Sequence, residues 1–325
     1  MGVVCVSKKV RSEVAGFTKV DVIWLNGKVV AWEDARMHVL AHGLQYGTGV
    51  FEGVRSYQTE EGPAVFRLDA HLARLHNSAS LYEMEIPYST EQLTEGTLDV
   101  VRRNQLGDAY IRPIAFFDAH SLSVWPKGCP VSVAIAAVPG SKYLASADKG
   151  VRVTVSSVRR FDSSVIPTAG KACGQYINSA RAVQDALRRG YDEAILLNNR
   201  GEVAEGSGEN IFLVQNGTLV TNDADACILM GITRDAILEI ARSMNLPIVV
   251  RPITVEDLTT SDEVFFCGTA VEVTHVREVD GHVIGDGTAG PLTRRLQETF
   301  QDIVRGRVAQ YRQWLTYVPQ AVVTK

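Results

Sequence analysis

Pro167-Thr168-Ala169-Gly170-Lys171-Ala172-Cys173-Gly174-Gln175-Tyr176 sets a lysine among small residues, with a tyrosine five positions on. Lys171 is the last lysine before Lys325, and every strong base between them is an arginine. Arginine cannot give up its proton, whereas a desolvated lysine can, so the pattern points to an amine used as an amine. The chemistry that fits is a Schiff base with a carbonyl, for which pyridoxal phosphate is the commonest cofactor. A solvated lysine at a loop end would read the same over this stretch, so the rest of the chain must choose.

Such a cofactor asks three things of the protein. Its phosphate needs backbone amides, usually at a helix N-terminus. Met230-Gly231-Ile232-Thr233-Arg234-Asp235 is one candidate, with Gly231 admitting close approach and Thr233 capping a helix. Phe266-Cys267-Gly268-Thr269-Ala270, a small-residue turn ending an apolar strand, is another. No dinucleotide glycine fingerprint or P-loop competes for the role. The ring nitrogen needs an acid, and Glu205 lies pinned between small residues in Val203-Ala204-Glu205-Gly206-Ser207-Gly208-Glu209-Asn210. The ring oxygen needs a phenol, which Tyr176 supplies. Each residue also has an ordinary reading: Glu205 as a turn cap, Tyr176 as a half-buried helix aromatic. Arg74 falls off the apolar stripe of its helix and is either solvated or reaching an anion.

Around these segments the periodicities predict an α+β chain. Residues 1–18 read as a loose extension. Val20 to Leu25 and Lys28 to Val30 flank Asn26-Gly27, a hairpin signal. Strands are expected over Val50–Tyr57, Tyr110–Phe117, Val131–Val138 and Val151–Val158, and helices over 91–105 and Gln175–Arg189. Asp69 is expected to cap a helix carrying Leu68, Leu72, Leu75 and Ala79 on one face. Further on come strands at Glu193–Leu197, Asn210–Val214, 248–253, 263–267 and 271–279, and helices from Thr233 and over 291–304. Hairpins outnumber βαβ units, which argues for two α+β halves over one doubly wound sheet.

Composition narrows the class. A net charge of −4 and a pI near 6.0, with no block of like charge, argue against nucleic acid or an anionic membrane as partner. No apolar run is long enough to span a bilayer, and Lys8, Lys9 and Arg11 are not followed by an apolar stretch in leader order. The cysteines at 5, 129, 173, 227 and 267 are scattered and show no paired spacing, so free thiols in the cytoplasm are expected and no metal site.

Taken in order, Lys171 with Tyr176, Glu205 through Phe212, Gly231-Ile232-Thr233-Arg234 and Gly268-Thr269-Ala270 resemble the signatures of fold-type IV pyridoxal-phosphate enzymes. Within that group the chain resembles the branched-chain amino acid aminotransferases. Tyr46-Gly47-Thr48-Gly49-Val50-Phe51-Glu52-Gly53-Val54-Arg55, Phe66-Arg67 through Arg74-Leu75-His76, and Tyr110-Ile111-Arg112-Pro113 agree, so the likeness covers about residues 20–316. The resemblance implies a D-amino acid aminotransferase-like fold, with a small N-terminal α/β domain (1–137), a loop (138–147) and a larger barrel-like cofactor domain (148–325). It also implies a homodimer or higher homo-oligomer.

By the same resemblance, Lys171 forms the internal aldimine and then shuttles a proton between the substrate α-carbon and the cofactor. Glu205 pairs with the pyridine nitrogen and Tyr176 with the ring oxygen, while Leu229 lies against the ring. Arg74, Gly231, Ile232, Thr233, Gly268 and Thr269 hold the phosphate. Tyr110, Thr269 and Ala270 take the substrate carboxylate. Tyr46, Phe51, Leu122 and Val124 form an aliphatic wall, with Arg55 nearby, and Arg112, with Tyr46 and Tyr143, accepts the distal carboxylate of glutamate. The implied activity is transfer of the amino group of leucine, isoleucine or valine to 2-oxoglutarate, alternating pyridoxal and pyridoxamine 5′-phosphate. The alternatives are a D-amino acid or (R)-amine transaminase, an aminodeoxychorismate lyase-like enzyme, or an idle cofactor-binding protein. Gly140, the Ser121-Leu122-Ser123-Val124-Trp125 run and Met230 depart from the family pattern and bear on substrate range.

Overall fold

Asn26 and Gly27 both take positive φ, 48° and 82°, the type I′ geometry their sequence predicts. They turn β1 (Val22–Leu25) into β2 (Lys28–Ala31). The computed structural model describes residues 18–140, 144 and 149–319, so Tyr143 and residues 1–17 of the expected extension lie outside the described residues. A first group of elements follows: α1 (His42–Tyr46), β3 (Gly49–Phe51), β4 (Val54–Thr59), β5 (Gly62–Phe66), α2 (Leu68–Ser80), α3 (Thr90–Arg103), β6 (Ala109–Phe117) and β7 (Val131–Pro139). The second group opens with β8 (Val151–Val155), α4 (Tyr176–Arg188), β9 (Glu193–Leu197), β10 (Val203–Gly206), β11 (Asn210–Gln215) and β12 (Thr218–Thr221). It ends with α5 (Ile232–Ser243), β13 (Ile248–Val250), α6 (Val255–Thr260), β14 (Glu263–Gly268), β15 (Glu272–Val279), β16 (His282–Val283), α7 (Pro291–Val304) and β17 (Leu315–Tyr317).

The strands make two sheets. The first is antiparallel, in the order β17-β5-β4-β6-β7-β1-β2 with β3 also on β6, so the last strand of the chain returns to the edge of the first sheet. The second is mixed, in the order β10-β9-β8-β15-β14-β11-β12-β13 with β16 on β15. Val203 N, on edge strand β10, donates to Ile253 O just past the opposite edge at 2.8 Å, so the second sheet curls toward a barrel. Ile211, Leu213, Val264 and Phe266 fill its interior. Phe212 and Phe265 alternate outward, stacked 5.1 Å apart, into a core shared with α5, α7 and the Tyr57 and Phe66 side of the first sheet. That shared core fixes one sheet against the other. Among the described residues no helix is long and apolar enough to cross a membrane.

Two expected elements differ for a physical reason. Val50–Tyr57 is two strands, because Pro113 in β6 offers no N–H for a ladder, and opposite it the chain breaks at Glu52-Gly53. The break turns Glu52 inward. Asp69 is not the cap of α2: Arg67 holds that position at φ 49° with no side-chain cap, and Asp69 sits in the first turn. α3 is capped by Ser89, which exchanges hydrogen bonds with Gln92 in a capping box.

Gly96 of α3 faces Trp24, and a Cβ there would stand 2.8 Å from the indole nitrogen. Gly96→Ala gains about 1 kcal/mol of helix propensity, but overpacking a buried ring costs about 1–3 kcal/mol. A net loss of stability is expected, read as a lower denaturation midpoint at unchanged slope. A midpoint that rises would show that Trp24 yields.

Candidate active site

The small residues around Lys171 serve close backbone approach. Gly174 N donates to Gly47 O at 3.1 Å, and a Cβ on Gly47 would stand 2.9 Å from Gly174 Cα. Phe51 N donates to Lys171 O at 3.0 Å, Val50 bridges Ala172, and Lys171 N donates to Ser78 Oγ at 3.0 Å. The lysine is thereby clamped to the edge of β3, facing the second sheet. Its Nζ lies 2.7 Å from the Tyr176 hydroxyl, and the Tyr176 ring packs edge-on against Phe51 with centroids 4.8 Å apart.

Between the sheets opens a cleft. Lys171, Tyr176, Glu205, Leu229, Arg74 and Tyr110 border it, and so do both glycine turns, Gly231-Ile232-Thr233 and Gly268-Thr269-Ala270. The two candidate cradles read from the sequence therefore converge on one cavity. No side chain caps α5; its N-cap is Gly231, and Thr233, expected as the cap, lies within the first turn. The first amides of α5 are thus left for a bound anion. Gly231 is obligatory, since a Cβ there would meet Asn210 Oδ1 at 2.0 Å.

Glu205 is 7% exposed, on β10, a strand that the small, wholly buried run Val203–Gly206 does not announce in sequence. Its Oε1 pairs with Arg160 Nε at 2.9 Å, and its Oε2 accepts from Asn210 Nδ2 and Leu229 N, each at 3.2 Å. Burial pushes its carboxyl up, and Arg160 opposes that shift. Beside it, burial and repulsion from Glu193 push Glu209 well above the usual carboxylate range, and burial pushes Glu193 up to about 7. Of these three carboxyls, Glu205 is the one held in an ion pair, with Arg160.

Arg74 borders the cleft, but its first partner is not an anion in it. Its Nε and Nη2 fork onto fully buried Glu52 at 2.7 and 2.9 Å, and its Nη1 donates to Met230 O at 3.0 Å. His71 Nδ1 meets the same carboxylate at 2.7 Å. Burial works against the charge of Glu52, but Arg74 and His71 prevail and hold its carboxyl below the usual range. The inward turn at Glu52-Gly53 creates this network.

Other expected site residues divide. Arg112 Nη2 donates to the Tyr110 hydroxyl at 2.9 Å, and its guanidinium lies 4.5 Å over the Phe51 ring. Arg55 is held by Glu272 at 3.1 Å and Ala270 O at 3.5 Å. Neither Phe51, Arg55 and Arg112 nor Tyr46, Leu122 and Val124 line the cleft itself. Tyr46 bonds Leu122 O at 2.8 Å, and Leu122 and Val124 are 66% and 75% exposed. Sequence reading passes over Arg160 and gives Glu52 no role beyond its place in the expected strand Val50–Tyr57.

An amine, a phenol, an uncapped helix start and an anchored carboxylate around one cleft can hold a phosphorylated heterocycle and move a proton beside it. The model of the Amino-transferase class IV family matches residues 49–279, well over half the chain. The chain belongs to the class IV aminotransferases. It is 45% identical over 299 residues to the branched-chain-amino-acid aminotransferase of Pseudomonas aeruginosa, spanning 91% of this chain and 97% of that one. It is 43% identical over 305 residues to the enzyme of that name from Escherichia coli strain K12, spanning 93% and 99%. Among solved structures, the T.th. branched-chain amino acid aminotransferase superposes with a TM-score of 0.89 at 45% identity, over 93% of this chain and 99% of that one. That enzyme was solved with N-(5′-phosphopyridoxyl)-L-glutamate and with 4-methylvaleric acid.

Proposed function

We propose that this class IV aminotransferase uses pyridoxal 5′-phosphate to move the amino group of leucine, isoleucine or valine to 2-oxoglutarate in a ping-pong cycle. The observation that carries the reading is Lys171 Nζ, 2.7 Å from Tyr176 O, in a cleft with uncapped α5 and anchored Glu205 on its walls. When bound, the cofactor supplies an aldehyde for amine exchange and a ring that withdraws electrons. The amides of Ile232 and Thr233, with Thr269 and Arg74 on the cleft wall, would hold its phosphate. Glu205 keeps a proton on the ring nitrogen, and Tyr176 donates to the ring oxygen. Leu229 backs the ring. Lys171 Nζ removes and returns the proton at the substrate α-carbon. Tyr110, with the turn at Thr269 and Ala270, orients the α-carboxylate, and Phe51 offers an apolar wall. Steady-state rates with leucine, D-alanine and (R)-1-phenylethylamine test this; preference for either of the latter two would overturn it.

Leu122, Val124, Trp125, Leu40 and Leu44 are exposed, and His42 and Tyr46 of α1 hydrogen-bond Ser123 O and Leu122 O, which brings the two apolar segments to one side and argues for a covering partner. We read it as the face of a homodimer, through which one copy completes the aliphatic wall of the other. The described cysteines 129, 173, 227 and 267 are all free thiols, which supports a place in the reducing cytoplasm.

Arg112 is the group that would meet the distal carboxylate of glutamate. A charge-assisted hydrogen bond contributes roughly 1.5–3 kcal/mol. Arg112→Ala is therefore expected to lower kcat/KM for glutamate and 2-oxoglutarate by about one to two powers of ten. Leucine has no distal carboxylate and should lose far less, only what the bond of Arg112 to Tyr110 contributes. Single-turnover rates with both substrates decide, and an equal loss for both would sink the dual role.

A further inference from the structure

Two arginines bordering the cleft are already neutralised, Arg74 by Glu52 at 2.7 Å and Arg160 by Glu205 at 2.9 Å. Neither pair adds net charge to a bound anion. Arg234, in the first turn of α5, is 4% exposed and makes no ion pair among the described residues. Its Nη2 donates to Asn222 O at 2.5 Å, and its Nε has no hydrogen-bond partner among them. Asp223, Asp235, Arg242 and Cys267 lie within electrostatic reach. Asp235 is paired with Arg67 at 3.0 Å, Asp223 accepts from Asp225 N at 3.1 Å, and burial pushes the Cys267 thiol up, so it stays neutral. A buried cation held by one carbonyl, with no carboxylate in direct contact among the described residues, is costly, and such a cost persists where function uses it.

The position of Arg234 says what uses it. Its own turn carries the cleft-lining Ile232 and Thr233, and Cys267 begins the other cleft-lining turn. Arg234 is not among the residues lining the cleft, and its guanidinium lies within electrostatic reach of Cys267, beside the second turn. We propose that Arg234 is the counter-charge for a dianionic phosphate monoester held between these turns, a positioning residue acting through the field it adds at their amides. The inference rests on the reading of that cradle as the cofactor phosphate site.

Two measurements test it. In the holoenzyme, the phosphorus resonance of bound pyridoxal 5′-phosphate is followed from pH 5 to 8. It should stay at its dianionic position throughout, whereas a free ester titrates at ~6. In parallel, cofactor-stripped protein is titrated with pyridoxal 5′-phosphate and with pyridoxal. Arg234→Met should weaken the phosphorylated ligand at least about tenfold and pyridoxal by less than about twofold, with Arg234→Lys restoring the preference. An equal loss for both ligands, or an unchanged preference in Arg234→Met, would overturn the proposal while leaving the cradle intact. If the parent protein binds pyridoxal as tightly as its phosphate, the cradle reading itself fails. Should Arg234→Met not fold, the holoenzyme titration decides alone, and a bound phosphate titrating at ~6 counts against it.

Discussion

Lys171→Ala is expected to abolish transamination and the yellow internal aldimine together. Lys171 is the only lysine bordering the cleft among the described residues, and its Nζ is directed at Tyr176 O, 2.7 Å away, by a backbone fixed at Ser78, Phe51 and Gly47. No other lysine among the described residues lining the cleft can take over at the substrate α-carbon. Removing a group that makes and breaks bonds costs roughly four to six powers of ten in turnover. Phosphate contacts should still retain the cofactor, so binding and activity separate. Lys171→Arg sharpens the test, because it keeps a cation but cannot lose its proton. It should be as dead as the alanine variant if the amine itself is needed, and substantially active if only charge is. Wild-type rates in Lys171→Ala would remove the lysine from the mechanism.

Local backbone chemistry is legible in the sequence; what depends on distant partners is not. Asn26-Gly27 and the helix at 291–304 follow from dihedral preference and apolar periodicity, which act within a few residues. The glycines of 231 and 268 announce close approach, and both border the cleft. Glu52 reads as part of a continuous strand, because nothing adjacent reveals that Pro113, some sixty residues on, removes a ladder bond opposite it. β10 escapes notice because all its positions are buried, so the alternation that marks a half-buried strand is missing. Arg74 does stand apart from the apolar stripe of α2, but its main partner is Glu52. The return of β17 to β5 depends on the shared core around Phe66 and Trp314, a tertiary fact without a local signature.

Glu205→Gln separates cofactor affinity from catalysis. The side chain is anchored by Arg160, Asn210 and Leu229 N, so an amide of nearly the same shape keeps its place. A carboxylate stabilises a proton on the ring nitrogen facing it; a neutral amide does not, and the ring then withdraws electrons poorly. Turnover is expected to fall roughly a hundredfold or more, on the scale of losing a group that governs proton placement, while cofactor affinity changes little because the phosphate cradle is untouched. The substitution also strips Arg160 of its counter-charge, and a buried unpaired guanidinium lowers stability by itself. Thermal denaturation of the holoenzyme must therefore accompany the kinetics, with Glu205→Asp as a variant that keeps the charge at a shorter reach. Recovery of activity in Asp but not in Gln, at similar stability, assigns the effect to charge at the ring nitrogen. Equal turnover in Gln and wild type, or a loss in Gln that merely follows its melting, would strip Glu205 of that role.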